Sequence, residues 1–147
     1  MNTKDIMNTK DVVIKIFGLQ DPEGVVEDDL EFVTDGRYSF KNGVATFSYL
    51  ESALTGLEGT RTTFKASPDE VVITRDGTVT MQMVFSEGRR HNFMYNTPFG
   101  AFTMGIDTMS VLRDMDENGG KLEVDYLLDM DNTAASKNHF RISVREA

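Results

Sequence analysis

Apolar and polar residues alternate along most of this chain, and a two-residue period is typical of a half-buried β-strand. The clearest row contains Leu122, Val124, Tyr126, Leu128 and Met130, with only Leu127 out of phase. Similar rows cover 79–85 and 140–145, and further strand-like segments lie near 12–18, 29–40, 44–50, 59–66, 70–74, 90–96 and 99–113. Turns containing Gly and Asp separate these segments. The pattern predicts about ten strands in an antiparallel barrel or sandwich.

Hairpin lengths test this interpretation, because residues directly opposite in an antiparallel pair share a face. A two-residue Asn42-Gly43 loop has the dipeptide favoured in type I′ turns. It sets Phe40, Tyr38 and Gly36 opposite Ala45, Phe47 and Tyr49. An odd-length loop around Glu87-Gly88-Arg89 sets Phe85, Met83 and Met81 opposite His91, Phe93 and Tyr95. Both loops keep the apolar rows on one face.

The turn at Arg75-Asp76-Gly77 allows two loop lengths. A two-residue Asp-Gly loop sets Ile73 opposite Thr80, which mixes the faces. A three-residue loop with Gly77 in the left-handed position sets Ile73 opposite Val79 and Val71 opposite Met81. We therefore predict the three-residue loop.

Two segments depart from simple alternation. Leu50, Ala53, Leu54 and Leu57 have the spacing of a helix face, although Gly56 and Gly59 would keep such a helix short. Within 99–113 the apolar positions change from even to odd numbers, which predicts a β-bulge near Gly105 to Thr108.

Composition limits the chemistry available. The 147 residues predict a single barrel domain over 12–147, preceded by a polar, mobile lead-in over 1–11. No cysteine is present, which excludes thiol nucleophiles, disulfides and cysteine-based metal sites, and 2 histidines leave little for a catalytic triad. The net charge of -9 opposes nucleic-acid binding. No apolar stretch reaches the roughly 18 to 20 residues of a membrane span, and no secretory signal is visible, so we expect a cytoplasmic protein without a membrane partner.

Three motifs follow one another in the order of a known family. They are Glu51-Ser-Ala-Leu-Thr-Gly-Leu-Glu-Gly-Thr-Arg-Thr62, Arg75-Asp-Gly77 and Tyr95-Asn-Thr-Pro-Phe-Gly100. Over roughly residues 12 to 145 the chain resembles the DUF1934 or YwiB-like family of small, uncharacterised bacterial β-barrel proteins. The resemblance implies an all-β, mostly up-and-down barrel of about eight to ten strands, lipocalin-like or calycin-like. It also implies an extended chain through 50–57, a cytoplasmic location and no known activity.

One apolar row is the candidate ligand site. Its members and neighbours at the barrel interior and rim are Met81, Met83, Phe85, His91, Phe93, Tyr95, Phe102, Met104 and Arg75. Methionine-rich surfaces adapt to varied ligands, but barrels of about eight strands are also often filled by their own side chains. His91 is placed near a barrel mouth, where it could hold a ligand carboxylate with Arg75, Arg89 or Arg90, or simply bond to a turn.

A second string, Asp114-Met-Asp116-Glu-Asn118-Gly119, matches the first half of a calcium loop. The second half fails, because Asp125 stands where a bidentate Glu is needed and a strand follows where a helix is expected. Such residues are also what a hairpin turn requires. We therefore predict no metal site here.

These observations favour a module that binds a small apolar or amphipathic molecule, with basic rim residues fixing its polar head and no cofactor. The alternative is a packed barrel that acts as a protein-interaction module through its outer surface. An enzyme is disfavoured because no nucleophile with a base and no phosphate-cradling loop is evident. Carboxylates distant in sequence, such as Glu31, Glu51 or Asp107, can still converge inside a barrel.

Overall fold

The computed structural model describes residues 9–18, 31–131, 133 and 135–147. These residues form ten strands: β1 (Lys10–Phe17), β2 (Glu31–Lys41), β3 (Val44–Leu50), β4 (Arg61–Ala66), β5 (Val71–Asp76), β6 (Thr80–Phe85), β7 (Arg90–Thr97), β8 (Gly100–Asp116), β9 (Gly119–Met130) and β10 (Ser136–Glu146). Each strand pairs with its chain neighbours, and β1 pairs with β10 to close the barrel. Every pairing is antiparallel. The predicted all-β, up-and-down barrel is confirmed.

Side-chain burial alternates along the strands as the sequence predicts. In β4 and β6 every second residue is buried, and Met81, Met83 and Phe85 point inward while Thr80 and Gln82 are exposed. The residues between the buried ones are exposed or partly buried, and all of them except Val84 are polar. In the described part of the chain no helix is long and apolar enough to cross a membrane.

Aromatic rings fill the middle of the barrel. Phe47 and Phe64 stack with ring centroids 4.9 Å apart, and Phe85 meets Tyr126 edge-on at 4.9 Å. Phe140 contacts Phe64, Phe85 and Tyr126 at 6.4, 5.5 and 6.1 Å. These rings have almost no solvent-accessible surface. The middle of the barrel is therefore a packed core.

The up-and-down topology places the turns at 42–43, 67–70, 86–89 and 117–118 at one end, called here the lower end. Arg113 lies across this end, and its Nη1 donates hydrogen bonds to the carbonyl oxygens of Gly43 at 3.0 Å and Ala66 at 3.1 Å. The Tyr38 hydroxyl donates to the Asp116 carbonyl oxygen at 2.6 Å. These contacts cross-link the lower end.

The opposite, upper end carries the segments 51–60, 77–79 and 98–99. Leu57 and Val79 are buried there. The Thr78 amide donates to Thr60 Oγ1 at 3.1 Å, and its hydroxyl donates to the Glu58 carbonyl oxygen at 2.9 Å. The β5–β6 turn is therefore fastened to the segment that precedes β4.

Two of the three predicted hairpin registers agree with the structure. Phe40 pairs with Ala45 and Tyr38 with Phe47, as predicted for the Asn42-Gly43 loop. Thr80 pairs with Asn96, which is the register predicted for the turn around Gly88.

The register predicted for Arg75-Asp76-Gly77 is wrong by four residues, because Val71 pairs with Phe85 instead of Met81. The loop is Gly77 to Val79, and Arg75 and Asp76 continue β5. Gly77 has φ +155°, and a Cβ at this position would overlap the Gly59 carbonyl oxygen. The position of this turn is therefore determined by its close contact with Gly59, which is distant in sequence. The shift is an even number of residues, so the same side chains still face inward.

The remaining irregularities are local. The β8 bulge is present, but the register shifts between Thr108 and Ser110 rather than within the predicted Gly105 to Thr108. Turns occupy 53–56 and 58–59, and the Thr55 and Gly56 amides donate to the carbonyl oxygens of Ser52 and Ala53, so this segment is neither the helix that the spacing allows nor the extended chain that the family resemblance implies. Most of the predicted lead-in, residues 1–8, lies outside the described residues, and its last two residues already belong to β1.

Candidate functional site

The ladder between β6 and β7 opens below its upper end. Thr80 and Asn96 are the paired residues of these two strands, and no other pair joins them. The turn that connects them is closed by a hydrogen bond from the Arg89 amide to the Ser86 carbonyl oxygen at 2.9 Å. It is also bonded to β8: the Gly88 amide donates to the Thr108 carbonyl oxygen at 2.9 Å, and the Thr108 amide donates to that of Arg89 at 3.1 Å. The start of β7 is therefore bonded to β8 while the turn still joins it to β6, and Thr80 and Asn96 remain the one ladder pair of these two described strands.

A groove of about 520 Å³ lies along this opening. We call it the β6–β7 groove; its lining residues are Thr74, Arg75, Asp76, Thr80, Met81, Gln82, His91, Asn92, Phe93, Met94 and Asn96. The groove is shallow and wide open to solvent, so a ligand in it would keep much of its surface exposed, unlike one in an enclosed small-molecule site. Met94 is 48% exposed and supplies apolar surface, whereas Met81 and Phe93 are only 6% and 8% exposed; the side-chain amides of Gln82, Asn92 and Asn96 supply donors and acceptors. Such a lining suits a molecule that is apolar in one part and polar in another.

A second groove of about 710 Å³ continues toward the lower end. It is lined by Pro68, Asp69, Glu70, Val84, Ser86, Glu87, Arg89, Arg90 and His91. His91 belongs to both grooves, and its ring stacks on Phe93 with centroids 6.3 Å apart. The second groove is dominated by charged side chains, so it offers less apolar surface to a ligand.

One inward-facing row of side chains runs behind the β6–β7 groove. Tyr49 pairs with Thr62, Thr62 with Arg75, and Arg75 with Met81. Directly opposite side chains of this kind have Cβ atoms about 4.5–5.5 Å apart. We call these residues the Arg75 row. It brings a charged group and two hydroxyl groups into the barrel interior.

Arg75 is buried within this row. Its side chain is 4% exposed, and Nε and Nη1 have no hydrogen-bond partner within the described part of the chain. Of the predicted locations, the barrel interior and rim, Arg75 occupies the interior, because its parity in β5 matches that of the buried Val71 and Ile73. The same parity could have identified it from the sequence.

Glu51 adds a second charged group, with 5% of its surface exposed. Its amide donates to the Thr60 carbonyl oxygen at 2.8 Å, which continues the β3–β4 pairing above Tyr49. Burial is the main cause that raises the pKa of Tyr49, followed by the negative charge of Glu51, whereas the positive charge of Arg75 lowers it. Burial also raises the pKa of Tyr126 to about 12, again opposed by Arg75. The positive charge of Arg75 thus lowers the pKa of a tyrosine on β3 and of another on β9.

The other basic residues near His91 have different surroundings. Arg90 donates to Asp107 Oδ2 at 2.8 Å and to both carboxylate oxygens of Asp129 at 2.9 and 3.2 Å. A Cβ at Gly105 would overlap Arg90 Nη2, so glycine is required for the guanidinium to lie across β8. Arg89 is exposed at the second groove. The ion pairs of Arg90, which lies on β7, therefore link this strand to β8 and β9.

Four of the nine predicted ligand-site residues meet at the β6–β7 groove: Arg75, Met81, His91 and Phe93. Met83, Phe85, Tyr95 and Met104 are buried in the barrel, and Phe102 packs against the core while partly buried. Tyr49 and Thr62 could not be identified as neighbours of Arg75 from the sequence, because no turn signal predicted the β3–β4 and β4–β5 registers.

The calcium-like string folds into a tight hairpin. Asp114 pairs with Lys121, and Asp116 with Gly119. Asp116 Oδ1 accepts a hydrogen bond from the Asn118 amide at 2.8 Å. Among the described residues, no group of three or more His, Cys, Asp or Glu side chains could hold a metal ion.

A polar cluster on the outer surface links β8, β9 and β10. His139 Nδ1 lies 2.7 Å from Asp125 Oδ1, and Ser110 Oγ donates to Asp125 Oδ2 at 3.0 Å. His139 Nε2 is 3.2 Å from Glu123 Oε1. The hydrogen bond from His139 is the main cause that lowers the pKa of Asp125. This cluster stabilises strand pairing and is remote in register from the β6–β7 groove.

Comparison with known proteins places the fold in a family. The model of the family described as "Domain of unknown function (DUF1934)" matches residues 14–142. The chain belongs to the DUF1934 family. This confirms the resemblance seen in the three sequence motifs.

A curated relative of this DUF1934 chain is the "Uncharacterized beta-barrel protein YwiB" of Bacillus subtilis (strain 168). It is 32% identical over 109 residues, which cover 71% of this chain and 75% of the relative. A solved structure, "Crystal structure of ywiB protein from Bacillus subtilis", matches with a TM-score of 0.77 at 23% identity and covers 99% of both chains. The second comparison supports the barrel architecture.

Proposed function

We propose that this DUF1934 chain is a cytoplasmic binding module for a small amphipathic molecule, held in the β6–β7 groove. The single observation that carries the proposal is the open ladder below Thr80 and Asn96, whose groove brings together apolar Met81 and Phe93 with buried Arg75. Antiparallel neighbours in a closed barrel normally pair along their length, so an opening backed by a buried charge fits a ligand site better than a packing need.

The groove, rather than the barrel axis, is the proposed location. The middle of the barrel is occupied by Phe47, Phe64, Phe85, Tyr126 and Phe140, and Arg113 crosses the lower end. A ligand on the axis would have to displace this aromatic core. A ligand in the groove needs no such rearrangement, and it would contact Met94 and the small exposed parts of Met81 and Phe93.

The second candidate is a protein-interaction module, which the packed core also favours. Several large apolar side chains are exposed near the upper end, among them Leu50, Leu54 and Phe99, the last 91% exposed. An exposed apolar side chain of this size is a common anchor in protein interfaces. No cofactor, nucleic acid or membrane is part of either proposal.

Native mass spectrometry of the protein expressed in Bacillus subtilis tests the first candidate. Asn92 lines the groove, so Asn92→Trp places an indole in the space that the ligand would occupy. Lys65→Trp is the matched control, because Lys65 is exposed on β4 and does not line the groove. Solvent extraction then identifies any bound molecule.

We expect about one molecule of the same mass per chain in the wild-type and Lys65→Trp proteins, and loss of that molecule in Asn92→Trp. Far-UV circular dichroism, compared with the β-sheet spectrum of the wild type, confirms that each variant is folded. Equal retention of the bound molecule by Asn92→Trp and wild-type protein would contradict binding in the β6–β7 groove. Empty wild-type protein would favour the interaction module.

A further inference from the structure

We propose that the outer surface of β1, β9 and β10 binds the phosphate or diphosphate group of a small molecule above Ser143. The residues concerned, called here the Ser143 site, are Lys15, Lys121, Arg141, Ser143 and Arg145. The site shares no residue with the β6–β7 groove. The inference therefore goes beyond the proposed function and does not depend on it.

Strand register gathers basic side chains around Ser143. This residue is directly opposite Lys15 on β1 and Lys121 on β9. Directly opposite residues have Cβ atoms about 4.5–5.5 Å apart. Arg141 and Arg145 lie two residues to either side of Ser143 on β10, and all three alternate with buried residues, so they share the outer face. The short serine side chain thus stands in the middle of longer, positively charged ones.

Most of these cations have no carboxylate partner. In the part of the chain that the structure describes, Lys121, Arg141 and Arg145 form no ion pair. Asp114 is directly opposite Lys121 in register, yet the two are not paired, and the guanidinium of Arg141 lies over the Phe17 ring, 4.8 Å from its centroid. Unpaired cations are unexpected in a chain with 24 acidic and 15 basic residues. Because like charges held close together repel, a bound anion would stabilise this surface.

The site lies in an open surface recess of about 240 Å³, which is lined by every residue of the Ser143 site except Arg145. A second recess of about 320 Å³ also includes Lys121 and Arg141 and extends to Leu112, which is 63% exposed. A phosphate group does not need an enclosed pocket, since its oxygens can accept charge-assisted hydrogen bonds on one side and keep water on the other. The organic part of the ligand would lie toward Leu112.

The compact arrangement favours a phosphate group over an acidic peptide. Lys, Arg and Ser side chains all offer donors, and a phosphate group concentrates about −1.5 to −2 charges and three acceptor oxygens at one point at pH 7. An extended peptide would instead spread single carboxylates along a line, about 6.4–6.8 Å apart on one face. Lys15 is already paired with Glu31 at 3.0 Å. Lys121, Arg141 and Arg145 therefore remain to balance a multiply charged anion.

Isothermal titration calorimetry with inorganic diphosphate, at neutral pH and low salt, tests the site. Lys121→Gln and Arg141→Gln each remove one of the unpaired cations. Lys65→Gln and Arg61→Gln are the matched controls, because these residues are exposed on β4 and line neither recess. Each control changes the net charge by the same amount as the variant that it matches.

A second pair of variants places a carboxylate on the surface. Ser143→Glu puts it among the cations of the site, whereas Thr63→Glu puts it on the outer face of β4. Both variants carry the same net charge, so a difference between them reports the position of the carboxylate. Far-UV circular dichroism confirms that each protein is folded.

We expect diphosphate to bind the wild type, Lys65→Gln and Arg61→Gln within about twofold of one another, and Lys121→Gln and Arg141→Gln about five- to tenfold more weakly. Ser143→Glu should abolish binding and Thr63→Glu should retain it. Physiological salt should weaken binding to the wild type, because salt screens charges at an exposed site.

Absence of diphosphate binding to the wild type would overturn the inference. Equal weakening by Lys121→Gln and Lys65→Gln would also overturn it, because diphosphate would then respond only to the overall charge; this comparison decides the matter even if Ser143→Glu fails to fold. Tighter binding of hexaglutamate than of diphosphate would assign the surface to an acidic protein segment instead. None of these outcomes bears on the β6–β7 groove.

Discussion

Truncating two phenylalanines on neighbouring strands should separate the packed core from the groove. Phe85 on β6 is fully buried and meets Tyr126 and Phe140 at 4.9 and 5.5 Å. Phe93 on β7 is 8% exposed and lines the β6–β7 groove. Both changes remove the same atoms. The difference between them reports whether the space left behind is enclosed.

Phe85→Ala should lower the free energy of unfolding by about 3–5 kcal/mol, because it removes the ring from its core contacts and leaves a cavity. Phe93→Ala should cost about 1.5–3 kcal/mol, which is the transfer contribution alone, since water can enter the vacated space from the groove. For a chain of this length, each kcal/mol corresponds to about 2–4 °C in Tm. The expected shift for Phe85→Ala is therefore roughly 6–20 °C.

Urea denaturation followed by tyrosine fluorescence gives both free energies, and thermal unfolding gives the Tm values. A cost below about 1 kcal/mol for Phe85→Ala would mean that the middle of the barrel is not filled. An equal cost for the two variants would mean that Phe93 is enclosed as well. Either result would refute the distinction between core and groove.

Three further outcomes are expected. The pKa of Asp125 is lower in the folded protein than in the unfolded chain, where it is about 3.9. Ionised Asp125 therefore stabilises the fold above about pH 3.9, and this stabilisation is lost as the pH falls through the folded pKa. Asp125→Asn, or replacement of His139, should make the urea midpoint depend less on pH in this acid range. Gly105→Ala should lower the Tm by displacing Arg90 from its carboxylates, and an unchanged Tm would contradict this. The raised pKa of Tyr126 stabilises the fold below its unfolded pKa of about 10 and loses this effect as pH rises toward 12, so Tyr126→Phe should shift alkaline unfolding, followed by tyrosinate absorbance, to higher pH.

Alternation predicted the barrel well because nearly every strand has one buried and one solvated face. Met81, Met83 and Phe85 could be assigned to the interior from spacing alone, and an even-numbered error in register does not change that assignment. The β5–β6 turn was harder. Local turn chemistry favours Asp76-Gly77, but the turn is fixed by contacts with Gly59 and Thr60, which are distant in sequence.

The candidate site was only partly predictable for the same reason. Arg75 could be placed inward by its parity with Val71 and Ile73, yet a charged residue at the end of an apolar row resembles a rim residue. The opening between β6 and β7 leaves no trace in the alternation, because both strands keep their inward and outward faces. It arises where Gly88 bonds to Thr108 on another strand, which is a non-local contact.

The open seam also bears on how this barrel avoids aggregation. Closing a sheet into a barrel normally removes the strand edges that recruit other chains, but the parting of β6 and β7 restores two short ones. These two edges end at the Thr80–Asn96 pair toward the upper end of the barrel and at the turn 86–89 toward the lower end. A foreign β-strand would need a longer, unbounded edge on which to extend its pairing. The strand edges at this opening are therefore short and bounded at both ends, so a second chain lacks the edge that it would need to begin a fibril.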